Sequence, residues 1–195
     1  MWYVIGLGNP GEEYENTRHN IGRDVVTHLA KKFNLTFKED GKAKTHFAKG
    51  SIGKKPAMLL LPDVFMNNSG KVAKSFIKSK KEAKNLIVIH DDIDMGLGKM
   101  KITFNRGSGG HKGTESILSA IKTNEFFQLK IGVLLLTPGG KVKKPKGEKA
   151  VISFILGEWK SAEEKEINKE IKRAGEAIEA LINDGFSKAA TDFNG

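Results

Sequence analysis

Apolar positions along the chain fall into short runs separated by polar, glycine-containing turns. The first run, WYVIGL at residues 2–7, predicts a buried strand. Residues 20–33 read as a helix, with Ile21, Val25, Val26, Leu29 and Phe33 recurring near every 3.6 positions. Alternation over 44–52 and again over 57–61 predicts a hairpin closed near Gly53-Lys54-Lys55-Pro56. Residues 69–79 read as a helix with Val72, Ala73, Phe76 and Ile77 inward, and LIVIH at 86–90 as a central strand. Residues 99–104 alternate like another strand. Gly107-Ser108-Gly109-Gly110 leads into a helix over 114–121, followed by a strand over 129–136. Residues 141–149 form a loop with five lysines and one acid, and 150–156 are apolar again. The last helix spans 162–183, with Ile167, Ile171, Ala174, Ile178 and Leu181 on one face. Strands alternate with helices, without an internal repeat or a linker. The expected fold is α/β, a single domain over 1–195 with a mixed central β-sheet flanked by helices.

Composition adds a partner class. Thirty-three lysines and arginines against 23 acids give a net charge of +10, which suits a polyanionic partner, most commonly nucleic acid. A surface merely solvated by lysine would give the same count. No run approaches the roughly 20 apolar residues of a membrane helix. The N-terminus lacks a basic leader and a cleavage pattern. Cysteine is absent, which fits a reducing compartment and excludes thiolate metal sites. A cytoplasmic protein with no membrane partner is expected.

Gly6, Gly8 and Gly11 spell the G-x-G-x-x-G of dinucleotide sites. That motif needs a helix to begin inside it, so that its amides meet a pyrophosphate. Here Glu12 and Glu13 stand where the phosphate would sit, and the helix begins some nine residues later. The glycines are better read as a sharp turn at the carboxyl end of the first strand, where α/β sheets carry their sites. Beside that turn stand Asn9, Tyr14, Arg18, His19 and Asn20. An isolated histidine near a helix start usually bonds the backbone, and His28 and His46 are read that way.

Two more polar clusters stand at element ends. Phe65-Met66-Asn67-Asn68-Ser69-Gly70 lies between a strand and a helix, so one of Asn67, Asn68 and Ser69 is expected to cap that helix. His90-Asp91-Asp92-Ile93-Asp94 ends the strand LIVIH. Its carboxylates admit three readings: a divalent metal site, a solvated turn, or one aspartate orienting a histidine from elsewhere.

Taken together, GLGNPGEEYENTRHNIG, FMNNSG, HDDID and GSGGHKG resemble, in order and rough spacing, the bacterial-type peptidyl-tRNA hydrolases. LGEW near Gly157 and the closing ATDFNG are similar too, so the resemblance covers nearly the whole chain. It implies a metal-independent, cofactor-free, monomeric enzyme that cleaves the ester joining a peptide, or an N-blocked aminoacyl group, to tRNA. That reaction recycles tRNA after abortive translation. By matched motifs, His19 is the base, Asp91 the acid that holds it, and Asn9 lies beside the ester and discriminates blocked from free aminoacyl groups. Tyr14, Phe65 and Asn67 line the cleft. Lys130 falls where the family often has a basic residue for phosphate, and Lys101, Arg106 and Lys112 are further candidates for the acceptor end and 5′ phosphate region. Asp92 and Asp94 are left to the turn, and the lysine loop adds at most a non-specific attraction.

The chemistry fits those roles. An ester has a good leaving group, so one activated water suffices, and imidazole titrates near neutrality. A carboxylate on its other nitrogen fixes the tautomer. Asparagine amides donate to a developing oxyanion without adding charge. Two positions depart from the family pattern. Lys112 replaces the usual asparagine of G-G-H-N-G, adding a mobile charge and losing an acceptor. Met95-Gly96-Leu97 replaces a proline-containing stretch, and a looser turn is expected there. A tRNA-binding protein with little activity, suggested by Lys112, and a nucleotide-dependent oxidoreductase are the competing readings. The set Asn9, His19, Asn67 and Asp91 favours the hydrolase, because a mere binder has no use for a base with its orienting acid.

Overall fold

The computed structural model of the chain describes residues 1–136 and 142–195. Among them seven strands form one sheet: β1 (Trp2–Gly6), β2 (Lys38–Asp40), β3 (Thr45–Ile52), β4 (Lys55–Pro62), β5 (Leu86–Gly96), β6 (Met100–Phe104) and β7 (Phe127–Leu134). Their order is β2-β3-β4-β1-β5-β7-β6. The four central strands are mutually parallel, β3 and β6 run antiparallel to them, and β2 pairs antiparallel with β3 at one edge. Successive residues of a strand point to opposite faces. Val4, Ile87 and Ile89 therefore join one core with α1 (Ile21–Lys32), α6 (Ser161–Asn183) and α7 (Phe186–Phe193). Ile5, Leu86 and Val88 join a second core with α2 (Ser69–Phe76), α3 (Lys80–Ala83) and α4 (Lys112–Ile121). Both faces are covered, which is why LIVIH reads as an uninterrupted apolar run.

The chain leaves β1 toward β4 on one side and later returns to β5 on the other. The sequence order thus reverses between β1 and β5, and the crevice above their carboxyl ends is where such sheets bind ligands.

Several local expectations need correction. The 69–79 helix is two pieces: α2 ends at Phe76, and Ser79 then caps α3 by accepting from the Glu82 amide at 3.2 Å. The strand expected over 129–136 starts earlier, where Phe127 pairs with Phe104 and Ile87, and ends at Leu134. LIVIH does not stop at His90. It continues to Gly96 because β7 keeps pairing with it, so Asp91, Asp92 and Asp94 belong to a strand with an irregularity between Asp92 and Gly96. The looser turn expected at Met95-Gly96-Leu97 is also absent: Leu97 N donates to Leu134 O at 2.7 Å, and Gly98 takes the tight turn just beyond. Of the 141–149 loop, Lys141 lies outside the described residues, and Glu148 and Lys149 already belong to α5 (Glu148–Ile155).

The first turn of α1 rests on the end of β1 through a pair of glycines. A side chain at Gly6 would strike Gly22 O, and one at Gly22 would strike Ile89 O and the Leu7 backbone. In an exposed helix, glycine to alanine stabilises by about 0.5–1 kcal/mol. For Gly22→Ala the expected sign is the opposite, a loss of about 1–3 kcal/mol from overpacking against backbone that cannot retreat. Urea unfolding measures it, and a stabilised variant would contradict this packing.

Candidate active site

Thr17, Arg18, His19 and Asn20 form a polar segment that is nonetheless buried. Burying polar groups is costly unless each finds a partner, and here each reaches a different part of the chain. Thr17 Oγ1 donates to Tyr14 O at 2.8 Å. Arg18 pairs with Glu163 at 2.8 Å. His19 Nδ1 meets Asp91 Oδ1 at 2.8 Å. Asn20 brackets the backbone of Asn9, accepting from its amide at 2.8 Å and donating to its carbonyl at 3.0 Å. The segment is locked on all sides just before α1 begins.

Asp91 is enclosed at 3% exposure, and its Oδ1 also accepts from His111 Nε2 at 3.1 Å. Burial alone would raise this carboxyl. The charge that the facing His19 carries when its ring is protonated, and the hydrogen bonds from His111 and His19, reverse that and hold it well below the usual carboxylate range. An ionised Asp91 accepts only, so both histidines donate to it. His19 then carries its proton on Nδ1, leaving Nε2 with a free lone pair. His111 carries its proton on Nε2, and its Nδ1 accepts from the Thr114 amide at 3.3 Å as the cap of α4. The residues therefore read His19–Asp91–His111, with two imidazoles sharing one oxygen.

Asn9 is similarly defined. Its Oδ1 accepts from the Met66 amide at 2.9 Å, so its NH2 group is the end left free. These groups open on a cavity of about 450 Å³ lined by Asn9, His19, Asp91 and His111. One side is apolar: Phe65, Met66, Ile93, and Val151, Ile152, Ile155 and Leu156 from α5 and its end. The rest of the lining is polar and carries both signs of charge: Ser108, Gly109, Gly110 and Asn67, the cations Lys112 and Lys130, and the acids Asp92, Asp94 and Glu148.

The remaining expected residues divide. Phe65 and Asn67 line the cavity, as do Lys112 and Lys130. Tyr14 does not; it packs edge-on against Phe65 with ring centroids 6.3 Å apart. The Arg106 side chain is exposed and off the cavity, while its carbonyl accepts from Gln128 Nε2 at 2.8 Å. Asn68 occupies the residue before α2, but its side chain donates to Asn67 instead of capping the helix. The glycine pattern makes no nucleotide cradle: only a short 3₁₀ turn, Glu12–Tyr14, follows Gly11.

The HDDID carboxylates do not gather either. Asp92 faces Lys130 Nζ at 3.4 Å, and Asp94 pairs with Lys144. Among the described residues, the three groups close enough to share a cation are His19, Asp91 and His111. They already satisfy one another, so an ion there would have to displace two protons. Sequence reasoning overlooked His111, although GSGGHKG contains it; attention went to its neighbour Lys112. It also overlooked the wall from α5, whose apolar residues carry no chemical signal.

A sequence model described as peptidyl-tRNA hydrolase matches residues 3–195. The chain belongs to the peptidyl-tRNA hydrolase family. It is 38% identical over 197 residues to the peptidyl-tRNA hydrolase of Thermodesulfovibrio yellowstonii, covering all of this chain and 99% of that one. Against the peptidyl-tRNA hydrolase of a Thermoanaerobacter species it is 37% identical over 198 residues, with both chains fully covered. Among solved structures, it is similar to the crystal structure of the peptidyl-tRNA hydrolase from Acinetobacter baumannii, with a TM-score of 0.88 and 31% identity over 100% of this chain and 94% of that one. This chain is a hydrolase of that family. No helix among the described residues is long and apolar enough to cross a membrane.

Behind the site, His90 is fully enclosed. Burial, and then the facing His111, push its imidazole down to about 4. Its Nδ1 donates to Asp91 O at 2.7 Å. An unfolded histidine takes up its proton near 6.5, so between pH 6.5 and 4 the unfolded state binds the extra proton and folding weakens as pH falls. The window corresponds to about 3 kcal/mol. Asp24, pushed up by burial to about 6, acts in the opposite sense. The readout is therefore a difference. From pH 7 to 4, urea unfolding of the parent should lose about 3 kcal/mol more than that of His90→Gln, and parallel curves would contradict this reading of His90.

Proposed function

We propose that this hydrolase frees tRNA from peptidyl-tRNA, and from tRNA charged with an N-blocked aminoacyl group, by direct attack of one water on the ester. The observation that carries the proposal is the 2.8 Å bond from His19 to Asp91 in a cavity lined partly by apolar side chains and partly by polar ones that include Lys112 and Lys130.

His19 Nε2 takes a proton from a water as its oxygen bonds the ester carbon. The imidazolium that forms is balanced by Asp91, which already holds Nδ1. The carbonyl oxygen becomes an oxyanion and receives a hydrogen bond from the free NH2 of Asn9, a contribution of up to about 3–4 kcal/mol. Collapse breaks the carbon–oxygen bond to the ribose, whose oxygen takes the proton back from His19. The products are a tRNA 3′-hydroxyl and a peptide carboxylic acid, which releases the second water proton to solvent as it ionises to the carboxylate. No covalent enzyme intermediate and no metal ion enters this scheme. His111 touches no reacting atom; it is a second anchor for Asp91. A binding protein without activity would have no use for the His19–Asp91 pair.

The apolar side takes the peptide, with Phe65 exposed at its rim and Tyr14 buttressing Phe65 from behind. Asn67 serves the acceptor end. Lys130 and Lys112 meet phosphates near the 5′ region, with Arg106 a more distant contributor. Lys130 stands directly across the sheet from Lys101. The Lys130 Nζ also faces Asp92 at 3.4 Å, so a phosphate bound there would take the place of that carboxylate. In this reading 1–195 acts as a single-domain monomer, in the cytoplasm where translation supplies its substrate.

Incubation with N-acetylaminoacyl-tRNA tests the reading. The parent should release free tRNA. His19→Ala should lose about 10²–10⁴-fold in kcat while still binding tRNA, and unchanged turnover in that variant would refute the base. For the phosphate side, log kcat/KM should fall with log salt, and Lys130→Ser should shallow that slope by about 0.7–0.9. An identical slope would remove Lys130 from the interface.

A further inference from the structure

The helix α5 is unusual in this fold because none of its residues is buried, yet it supplies one whole wall of the cavity. What holds it is an arginine that the mechanism does not use. Arg18 is 5% exposed. Its Nη1 donates to Gly157 O at 3.1 Å and Glu158 O at 2.8 Å, just past the end of α5. Its Nη2 reaches both oxygens of Glu163 at 3.0 and 2.8 Å, in the first turn of α6. Its guanidinium carbon lies 4.6 Å from the Phe154 ring centroid and 4.9 Å from that of Trp159. The backbone joins in: Arg18 N donates to Gly157 O at 3.2 Å and Trp159 N to Asn16 O at 3.1 Å. Glu163 is itself fixed, accepting from Lys160 N at 2.7 Å.

We propose that Arg18 is a positioning residue that fixes the α5 wall against the His19 segment, and thereby sets how strongly the cleft grips the acyl chain of its substrate. The inference rests on the reading of the apolar side as the peptide side. Its physical content is that one planar, five-donor cation spans two carbonyls, one carboxylate and two aromatic faces at once, which an ammonium group cannot do. His19 is separately held by Asp91, so loosening Arg18 moves the wall more than the base. Only substrates whose peptide reaches Val151, Ile152 and Ile155 feel that movement fully.

The test compares N-acetylalanyl-tRNA with N-acetyl-trileucyl-tRNA on the parent, Arg18→Lys and Glu163→Gln. Arg18→Lys should raise KM for the tripeptidyl substrate about ten-fold more than for the short one, with kcat changing by similar factors on both. Glu163→Gln, which keeps the shape of the carboxylate but loses its charge and one acceptor oxygen, should produce the same split to a smaller extent. It is the variant to read if Arg18→Lys fails to fold. In the Arg18→Lys background, adding Ile155→Ser should cost clearly less than in the parent, because both act on one wall. Equal losses on both substrates, no loss, or strict additivity with Ile155→Ser would each overturn the inference. Failure of the parent to hydrolyse even the short substrate would instead overturn the functional reading beneath it.

Discussion

A carboxylate sealed inside a protein must be surrounded by donors or it will take up a proton. Asp91 meets that requirement with two imidazole N–H groups on one oxygen, one from the turn after β1 and one from the cap of α4. The constraint ties three distant stretches of chain to a single atom. It fixes the tautomer of His19, and through it the direction in which the free lone pair points. It fixes His111, which in turn holds the start of α4 and the end of the Gly109-Gly110 loop. The rest of the crevice is built around that anchor.

The same logic runs outward. Asn20 holds the backbone of Asn9, and the Met66 amide occupies the oxygen of the Asn9 side chain, so the amide NH2 is the end presented to the cavity. His90 bonds the carbonyl of Asp91 from below. Beside it, Gln128 Nε2 donates to Arg106 O and Gly107 O and so ties β7 to the start of the glycine loop. Polar groups that would each be costly alone satisfy one another, and few alternative arrangements keep them all paired. A site of this kind is preorganised: its donors are aimed before the substrate arrives, which is where electrostatic catalysis gains most. The glycine pair Gly6 and Gly22 serves it by letting α1 approach β1 closely enough for the buried segment to reach its partners.

The strands and helices of the core were legible because apolar spacing is a local property: the stripe of α1 and the LIVIH run announce themselves within a dozen residues. The residues of the candidate site were legible only through the family motifs, since nothing local says that His19 meets Asp91, 72 positions away. Element ends were misread where pairing with another strand decides them. β5 continues through three acidic residues because β7 keeps accepting it, a fact absent from the acidic stretch itself. His111 was missed because a histidine before a helix has an ordinary explanation as a cap, and it fills that role too, with its other nitrogen. Tyr14 was assigned to the cleft by analogy and does not line the cavity, since a side chain's direction depends on turns that motifs do not encode. The wall from α5 was invisible because apolar residues on a short helix look like core, and here they line a cavity.

The claim on which the account depends is the tautomer of His19, since a base needs its lone pair on the nitrogen that faces the substrate. Long-range ¹H–¹⁵N correlation of the His19 ring in the folded protein, at a pH where the ring is neutral, reads this directly. The account predicts a protonated Nδ1 and a bare Nε2 in the parent. A neutral ring with its proton on Nε2 would mean that Asp91 does not hold it as described, and the account of the site would fail.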